Sequence, residues 1–271
     1  MKIKHDFHIH TALSVCATGH DTALEGFFER AGDTGVEKLG ISNHFWDSAV
    51  PIDHLVPGAI EFYKVQNFEH LLKVKPEIEN VKDFKMYFGC EAEYDPKRGD
   101  IAVSEAVAEQ FDYIIVPNSH THLTMPGDDY GNMQKQKDFL IKAFSDLVNG
   151  KMNKYITAIA HPFEVVGYSV EKMKALFDMI SDDEFKRLFD MAAERGIAYE
   201  INHDLMMWKT FEEIEKLPTI RLYRLAKECG CKFIFGSDAH GYEGYRDYAP
   251  HSEYMADLVG LTEDDLVDIA K

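Results

Sequence analysis

The chain has 271 residues, with 45% hydrophobic and 28% charged content, which suits one large α/β domain with a sizeable core. A net charge of −18 argues against long nucleic acids as partners, because phosphate backbones are bound through clustered Lys and Arg. No signal-peptide-like or membrane-spanning apolar run is present, and Cys16, Cys90, Cys229 and Cys231 form no C-x-x-C pair, so a cytoplasmic protein with free thiols and no membrane association is expected.

Residues 3–10 predict a first strand ending in His8-Ile9-His10, whose i and i+2 imidazoles point to one face and can share a metal ion. Thr22-Ala-Leu-Glu25 has the form of a capping box, opening a helix with Leu24, Phe27, Phe28 and Ala31 on one face and a stop at Gly35. Strand two, residues 36–42, runs into Asn43-His44. A loop over 46–57 and a helix to about Val74, before Pro76, follow it. Strand three, residues 84–90, ends in Glu91. A helix over 101–110 leads to strand four, 113–116, and then to Pro117-Asn118-Ser119-His120-Thr121-His122. Residues 124–131 are polar and turn-rich, as in an active-site flap, and a helix covers about 132–148. Strand five, 155–160, ends in His161-Pro162. Ser181-Asp-Asp-Glu184 forms a second capping box, and its helix stops at Gly196. Strand six, 197–201, ends in Asn202-His203, and a helix begins near Pro218. Strand seven, 232–235, runs into Gly236-Ser237-Asp238-Ala239-His240, and a helix after Thr262 closes the chain.

This alternation, with no linker, predicts one parallel-sheet domain over residues 1–271. Each strand is followed at once by His, Glu, Asp or Asn. That favours a closed α/β barrel with a functional site at the C-terminal face of its strands. An open sheet would gather its site at one switch point. No G-x-G-x-x-G follows the first strand, which disfavours dinucleotide binding.

The strand ends supply His8, His10, His44, Glu91, His120, His161, Asp238 and His240, and the loop after strand one adds His20. Imidazoles and carboxylates in such numbers have the ligand chemistry of zinc, iron or manganese. They exceed what one ion needs. Two or three divalent ions sharing a bridging carboxylate fit better, and such sites serve phosphate-ester hydrolysis. Singly, each residue has a plain alternative: His161 as a surface residue at a strand stop, Asp238 as a cap, Glu91 as a partner of Lys97 or Arg98. Recurrence at the same end of successive strands is what argues for a site. Cys16 lies near the first histidines and could approach a metal, although a free thiol is the favoured reading.

In this arrangement the sequence resembles the PHP (polymerase and histidinol phosphatase) superfamily. The resemblance rests on His8-x-His10, Asn43-His44, Gly89-x-Glu91, the strand-four histidine, His161-Pro162 and Ser237-Asp238-Ala239-His240. It implies a distorted (β/α)7 barrel with a metal cluster, usually trinuclear, at the C-terminal face of its strands, and phosphoester hydrolysis. Carried over, His8, His10, Glu91 and Asp238 would hold one ion. Glu91 would bridge to a second with His120 and His161, and His20, His44 and His240 would hold the third. Asn43 stands where the family usually has Asp, and His120 fits the spacing from strand four better than His122.

On this reading a water bridging two ions is a hydroxide at working pH and attacks phosphorus in line. Glu91 and Asp238 hold the catalytic ions, and a third metal, its bound water or His203 assists the leaving alkoxide. Asn202, Arg98 and His122 are candidate substrate contacts, with Lys97 beside Arg98. The expected substrate is a small phosphomonoester, with L-histidinol phosphate leading. Its cationic amine would need a carboxylate, drawn from Asp47, Asp53, Asp128, Asp129, Glu164 or Asp204. The alternatives are a phosphodiesterase or nuclease acting on nucleotides or short oligonucleotides, and a non-catalytic metal-binding module.

Overall fold

Seven parallel strands succeed one another around a barrel in the computed structural model, which describes residues 1–271. They are β1 (His5–Ile9), β2 (Lys38–Ile41), β3 (Lys85–Ala92), β4 (Tyr113–Pro117), β5 (Ala158–Ala160), β6 (Ala198–Asn202) and β7 (Phe233–Gly236), each hydrogen-bonded to the next. Parallel strands are covered on both faces, so they read as apolar runs. Every residue of β1, β4, β5, β6 and β7 is buried.

The seam between β7 and β1 is closed irregularly. Asp238 N–H donates to the His8 carbonyl at 2.7 Å, and His10 N–H donates to the Ala239 carbonyl at 3.0 Å. Nearby, side chains replace the ladder. Phe235 N–H donates to His5 Nε2 (3.0 Å), while Asp6 Oδ1 accepts from His8 N–H (3.0 Å) and Ser237 N–H (2.9 Å). The barrel is therefore nearly closed but distorted. Two strand glycines make room for one ring: a Cβ at Gly40 or Gly89 would lie 2.3 Å from the Tyr113 side chain. At Gly236 it would lie 2.3 Å from Glu200 Oε1 and 2.4 Å from His8 Cβ, so the glycine admits a carboxylate beside the first histidine.

The main helices are α1 (Leu24–Thr34), α2 (Pro57–Tyr63), α3 (Met133–Asn149), α4 (Val170–Asp178), α5 (Asp182–Arg195), α6 (Thr219–Glu228) and α7 (Tyr248–Val259). None is long and apolar enough to cross a membrane. The sequence reading needs several corrections here. α1 is preceded by Ala23 with no side-chain cap, so Thr22 and Glu25 form no capping box. Ser181 does cap α5, accepting from Glu184 N–H at 3.2 Å. The helix expected up to Val74 is divided into Pro57–Tyr63 and a run of short turns from Phe68 to Glu79, which continues past Pro76 because proline is tolerated in the first turn of Lys75–Glu79. The helix expected over 101–110 shrinks to Glu105–Ala108, since Ile101 pairs with Tyr94 in a small antiparallel ladder. After Thr262 only a single turn, Glu263–Asp265, forms. α7 was not expected, because Pro250 in its first turn resembles a loop signal; there its missing N–H costs nothing. The loop over 46–57 is packed: Trp46, Val50 and Leu55 join Ala59, Tyr63, Ala102 and Leu123 in a satellite core.

Candidate metal centre

His8, His10, His44, Glu91, His120, His161, Asp238 and His240 converge at the C-terminal mouth of the barrel. Glu91 lies at their centre. The short strand His44–Phe45 pairs with the end of β3 so that His44 stands opposite Glu91, with His44 Nδ1 2.8 Å from Glu91 Oε2. Around the same carboxylate lie His161 Nε2 at 3.0 Å, His8 Nε2 at 3.5 Å, His10 Nε2 at 3.6 Å and His120 Nε2 at 3.7 Å. Asp238 Oδ1 reaches His10 Nε2 at 3.2 Å and His8 Nε2 at 3.4 Å.

Each of four imidazoles is anchored from behind through Nδ1, which turns Nε2 towards the cluster. His8 Nδ1 meets Glu200 Oε1 at 2.7 Å, and His120 Nδ1 meets Glu93 Oε2 at 2.9 Å. His161 Nδ1 meets Ser119 Oγ at 2.7 Å. His10 Nδ1 meets Ser14 Oγ at 3.0 Å; that hydroxyl donates to Asn43 Oδ1, so it accepts from the ring. An ionised carboxylate only accepts, so His8 and His120 each put an N–H on Nδ1, and a neutral ring so held would present its Nε2 lone pair to an ion. Metal-ligating histidines are held in this way, and the donor set fits divalent cations. Ligand atoms of His8, His10 and Glu91, of His8, His161 and Asp238, and of His44, Glu91 and His120 lie within 4.8 Å of one another in each group.

The backbone is strained at two of these positions: His161 has φ +28° and Asp238 has φ +55°. A left-handed non-glycine residue costs about 1–3 kcal/mol and persists where its surroundings over-determine it. Here the His161 N–H donates to Glu200 Oε2 at 2.7 Å, and the Asp238 N–H donates to the His8 carbonyl.

Charge and burial compete throughout. Burial alone would lower His8, but Glu200, Asp238 and Glu91 raise it well above the usual imidazole range. Burial would also lower His161, yet Glu91 and Asp238 hold it at about 9. Burial would raise Glu91, and the surrounding histidines hold it well below the usual carboxylate range. The field of this pocket favours bound positive charge.

Other expected residues lie elsewhere. His20 is exposed beyond the positive-φ Gly19 (φ +91°) and lines a second cavity with Asp238 and His240, while Cys16 stands in a group with His10, His44 and His240. His203 is buried behind the site against Tyr248 and His251, and burial followed by His251 pushes it down to about 3. Strand alternation explains this: Glu200 and Asn202 face the cluster, which turns His203 away. Asn202 Nδ2 donates to Glu200 and Asp238, at 3.3 Å each, so it holds carboxylates in place. Arg98 lies outside the cavity. Asp95 Oδ1 accepts from its backbone N–H and fixes the turn, while its guanidinium donates to the Val103 carbonyl at 3.0 Å. Lys97 shares that separate surface pocket. His122 stands exposed at the cavity rim, its ring 5.5 Å from that of His120. Asn43 uses Oδ1 to accept from Thr11 N–H (2.8 Å), the Thr11 hydroxyl (3.1 Å) and the Ser14 hydroxyl, so the amide supports the β1 loop with the acceptor atom an Asp would offer.

The cluster forms one wall of a cavity of about 310 Å³. Phe62, Leu123, Val165, Val166, Tyr168 and Leu205 supply apolar walls, Glu164 and Asp204 supply acids, and no Lys or Arg lines it. The segment 124–131 does not line the cavity, which corrects its reading as a flap. Of the six acids considered for a leaving-group cation, only Glu164 and Asp204 reach it. Asp47 instead accepts from Ser104 N–H at 2.9 Å, Asp129 pairs with Lys135, and Asp53 and Asp128 are exposed.

Glu164 yields a pH prediction. Burial raises its carboxyl to about 8, although His161 and the Tyr223 hydroxyl, donating at 3.0 Å, pull it down. The folded state thus binds this proton more tightly than the unfolded state, whose carboxyl titrates near 4.5. Its contribution to stability is lost as pH rises from about 4.5 to about 8. Glu164→Gln should therefore gain stability on the parent across that window, by roughly 1–3 kcal/mol at its upper end. Melting temperatures of both proteins at pH 5 and pH 8 test this, and a gap that stays constant would place an ionised carboxylate there at both.

No family profile matches the chain. A probable phosphatase of Clostridium acetobutylicum is 25% identical over 240 residues, 89% of this chain and 80% of the relative. A probable phosphatase of Thermoanaerobacter pseudethanolicus is 27% identical over 241 residues, with the same shares of 89% and 80%. Among solved structures, histidinol phosphate phosphatase from Lactococcus lactis, complexed with zinc, L-histidinol and phosphate, aligns with a TM-score of 0.63 at 16% identity. The alignment covers 96% of this chain and 95% of that one. At that identity the likeness establishes the barrel fold.

Proposed function

We propose that this chain, as one domain over residues 1–271, is a cytoplasmic metal-dependent phosphomonoesterase of the PHP kind, with L-histidinol phosphate as the leading substrate. The observation that carries this reading is the set of histidines anchored at Nδ1 whose Nε2 atoms surround Glu91. The names of the relatives, and the zinc, L-histidinol and phosphate of the Lactococcus lactis enzyme, support it.

His8, His10, Glu91 and Asp238 would hold one ion, and His120 and His161, with Glu91 shared, a second. Bound there, divalent cations supply Lewis-acid stabilisation of the phosphoryl group and an activated water at neutral pH. Neither Lys nor Arg lines this cavity to meet a phosphate dianion. This absence also weighs against a nuclease, which tracks a polyanion through basic and aromatic side chains. Glu93, Glu200, Ser14 and Ser119 orient the ligands, and Asn202 steadies Asp238.

The rest of the cavity selects the leaving group. The apolar walls suit a ring. Asp204, whose carboxylate makes no ion pair or hydrogen bond within the protein, suits a cationic amine. A site that pairs the amine gives such substrates a contact that analogues lacking one cannot make. The kcat/KM for histidinol phosphate should therefore exceed that for an uncharged alkyl phosphate by about 100-fold, on the order of 3 kcal/mol. Asp204→Asn should remove most of that preference while generic hydrolysis persists. Equal kcat/KM for the two esters would discard histidinol phosphate, and no hydrolysis of either by metal-loaded protein would discard the phosphatase reading.

A further inference from the structure

We propose that Cys16 is a metal ligand: its thiolate sulfur, with His44 and His240, binds the third divalent ion in the role that motif spacing gives to His20. The proposal rests on reading the cluster as a metal centre. Cys16 Sγ lies with ligand nitrogens of His10, His44 and His240 in a group whose atoms are all within 4.8 Å of one another. The turn Val15–Ala17 sets this geometry. Val15 N–H donates to Gln66 Oε1 at 2.9 Å, and Ala17 N–H donates to the Ser14 carbonyl at 3.0 Å. Ser14 is in turn tied to Asn43 and His10. Cys16 is thereby carried to the cluster, while His20 remains exposed beyond Gly19.

His44 links this group to its neighbour: it also stands in the group of His44, Glu91 and His120, and its Nδ1 lies 2.8 Å from Glu91 Oε2, both atoms buried and without a hydrogen-bond partner. A thiolate with imidazoles is a softer set than the carboxylate-bearing sites beside it, and it selects zinc, cobalt or ferrous iron over manganese or magnesium. On binding, the Cys16 S–H bond breaks, its proton passes to solvent, and the sulfur lone pair forms the metal bond.

Cobalt(II) reconstitution of the stripped full chain under reducing conditions tests this without relying on turnover. The parent should show a near-ultraviolet thiolate-to-cobalt charge-transfer band. Cys16→Ser should lose the band and one bound ion per chain, with circular dichroism confirming that it folds, while His20→Ala should keep both. A parent without the band, a band surviving in Cys16→Ser, or an ion lost from His20→Ala but kept in Cys16→Ser would overturn the proposal. Phosphatase activity without the band would sink the cysteine assignment alone. The band in a protein without phosphatase activity would sink the proposed function alone.

Discussion

Replacing Glu91 by glutamine is expected to lower kcat/KM for phosphomonoesters by at least about 10²–10³-fold, the loss seen when one preorganised electrostatic group is removed. No other residue serves so many partners: five imidazoles approach this one carboxylate, His44 and His161 at 2.8 and 3.0 Å and the others at 3.5–3.7 Å. Glutamine keeps the shape but removes the charge, and its NH₂ must face ring nitrogens that need an anion or share a cation. More than one ion should be lost, which elemental analysis reads directly. The neighbouring pair gives an internal control. His120 is oriented by Glu93 and buried, whereas His122 is exposed at the rim, so His120→Ala should cost far more metal than His122→Ala. Normal metal content in the Glu91 variant, or a larger loss from the His122 change, would reverse the assignment.

Stripping the protein with chelator should reduce phosphatase activity to background, and zinc should restore it. The ligands are buried at the end of β1, in β3 and in the turn after β5, and partly buried after β7, so binding should also stabilise the fold. An ion present at 100 times its dissociation constant adds about 2.7 kcal/mol, enough to move the melting temperature by several degrees. Loading should also depend on pH in a set direction. His161 and His240 each hold a proton up to about 9, burial being outweighed by Glu91 at the first and by Cys16 and Asp238 at the second. Metal must displace those protons, so apparent affinity should strengthen from pH 6 towards pH 9 and protons should be released on binding. Calorimetry in buffers of different ionisation enthalpy measures that release. Full activity in folded, metal-free protein would remove the metals from the mechanism.

The sequence by itself determined the barrel and most of the cluster. Strand–helix alternation specifies a parallel sheet, parallel strands place all their C-terminal ends on one face, and His8, His10, Glu91, His161, Asp238 and His240 sit at those ends. Chain proximity says which residues are near such a mouth; it does not say where each side chain turns. His203 and Arg98 therefore lie off the cavity, one through strand alternation and one through a turn that spends Asp95 on its own backbone. Glu93 and Glu200 were missed although each carried a legible signal. Glu93 stands at i+2 from Glu91, and Glu200 is a lone carboxylate inside an apolar strand two residues before Asn202, the same spacing that drew attention to His8 and His10. Other choices depended on contacts between segments distant in sequence. Tertiary structure alone decided that Cys16 joins His10, His44 and His240, and that Glu164 and Asp204, of six acids, reach the cavity. It also decided that Ser14 and Ser119 stand behind His10 and His161. A side chain's direction at a loop is set by the partners that satisfy its neighbours' backbone groups, and those partners come from other strands.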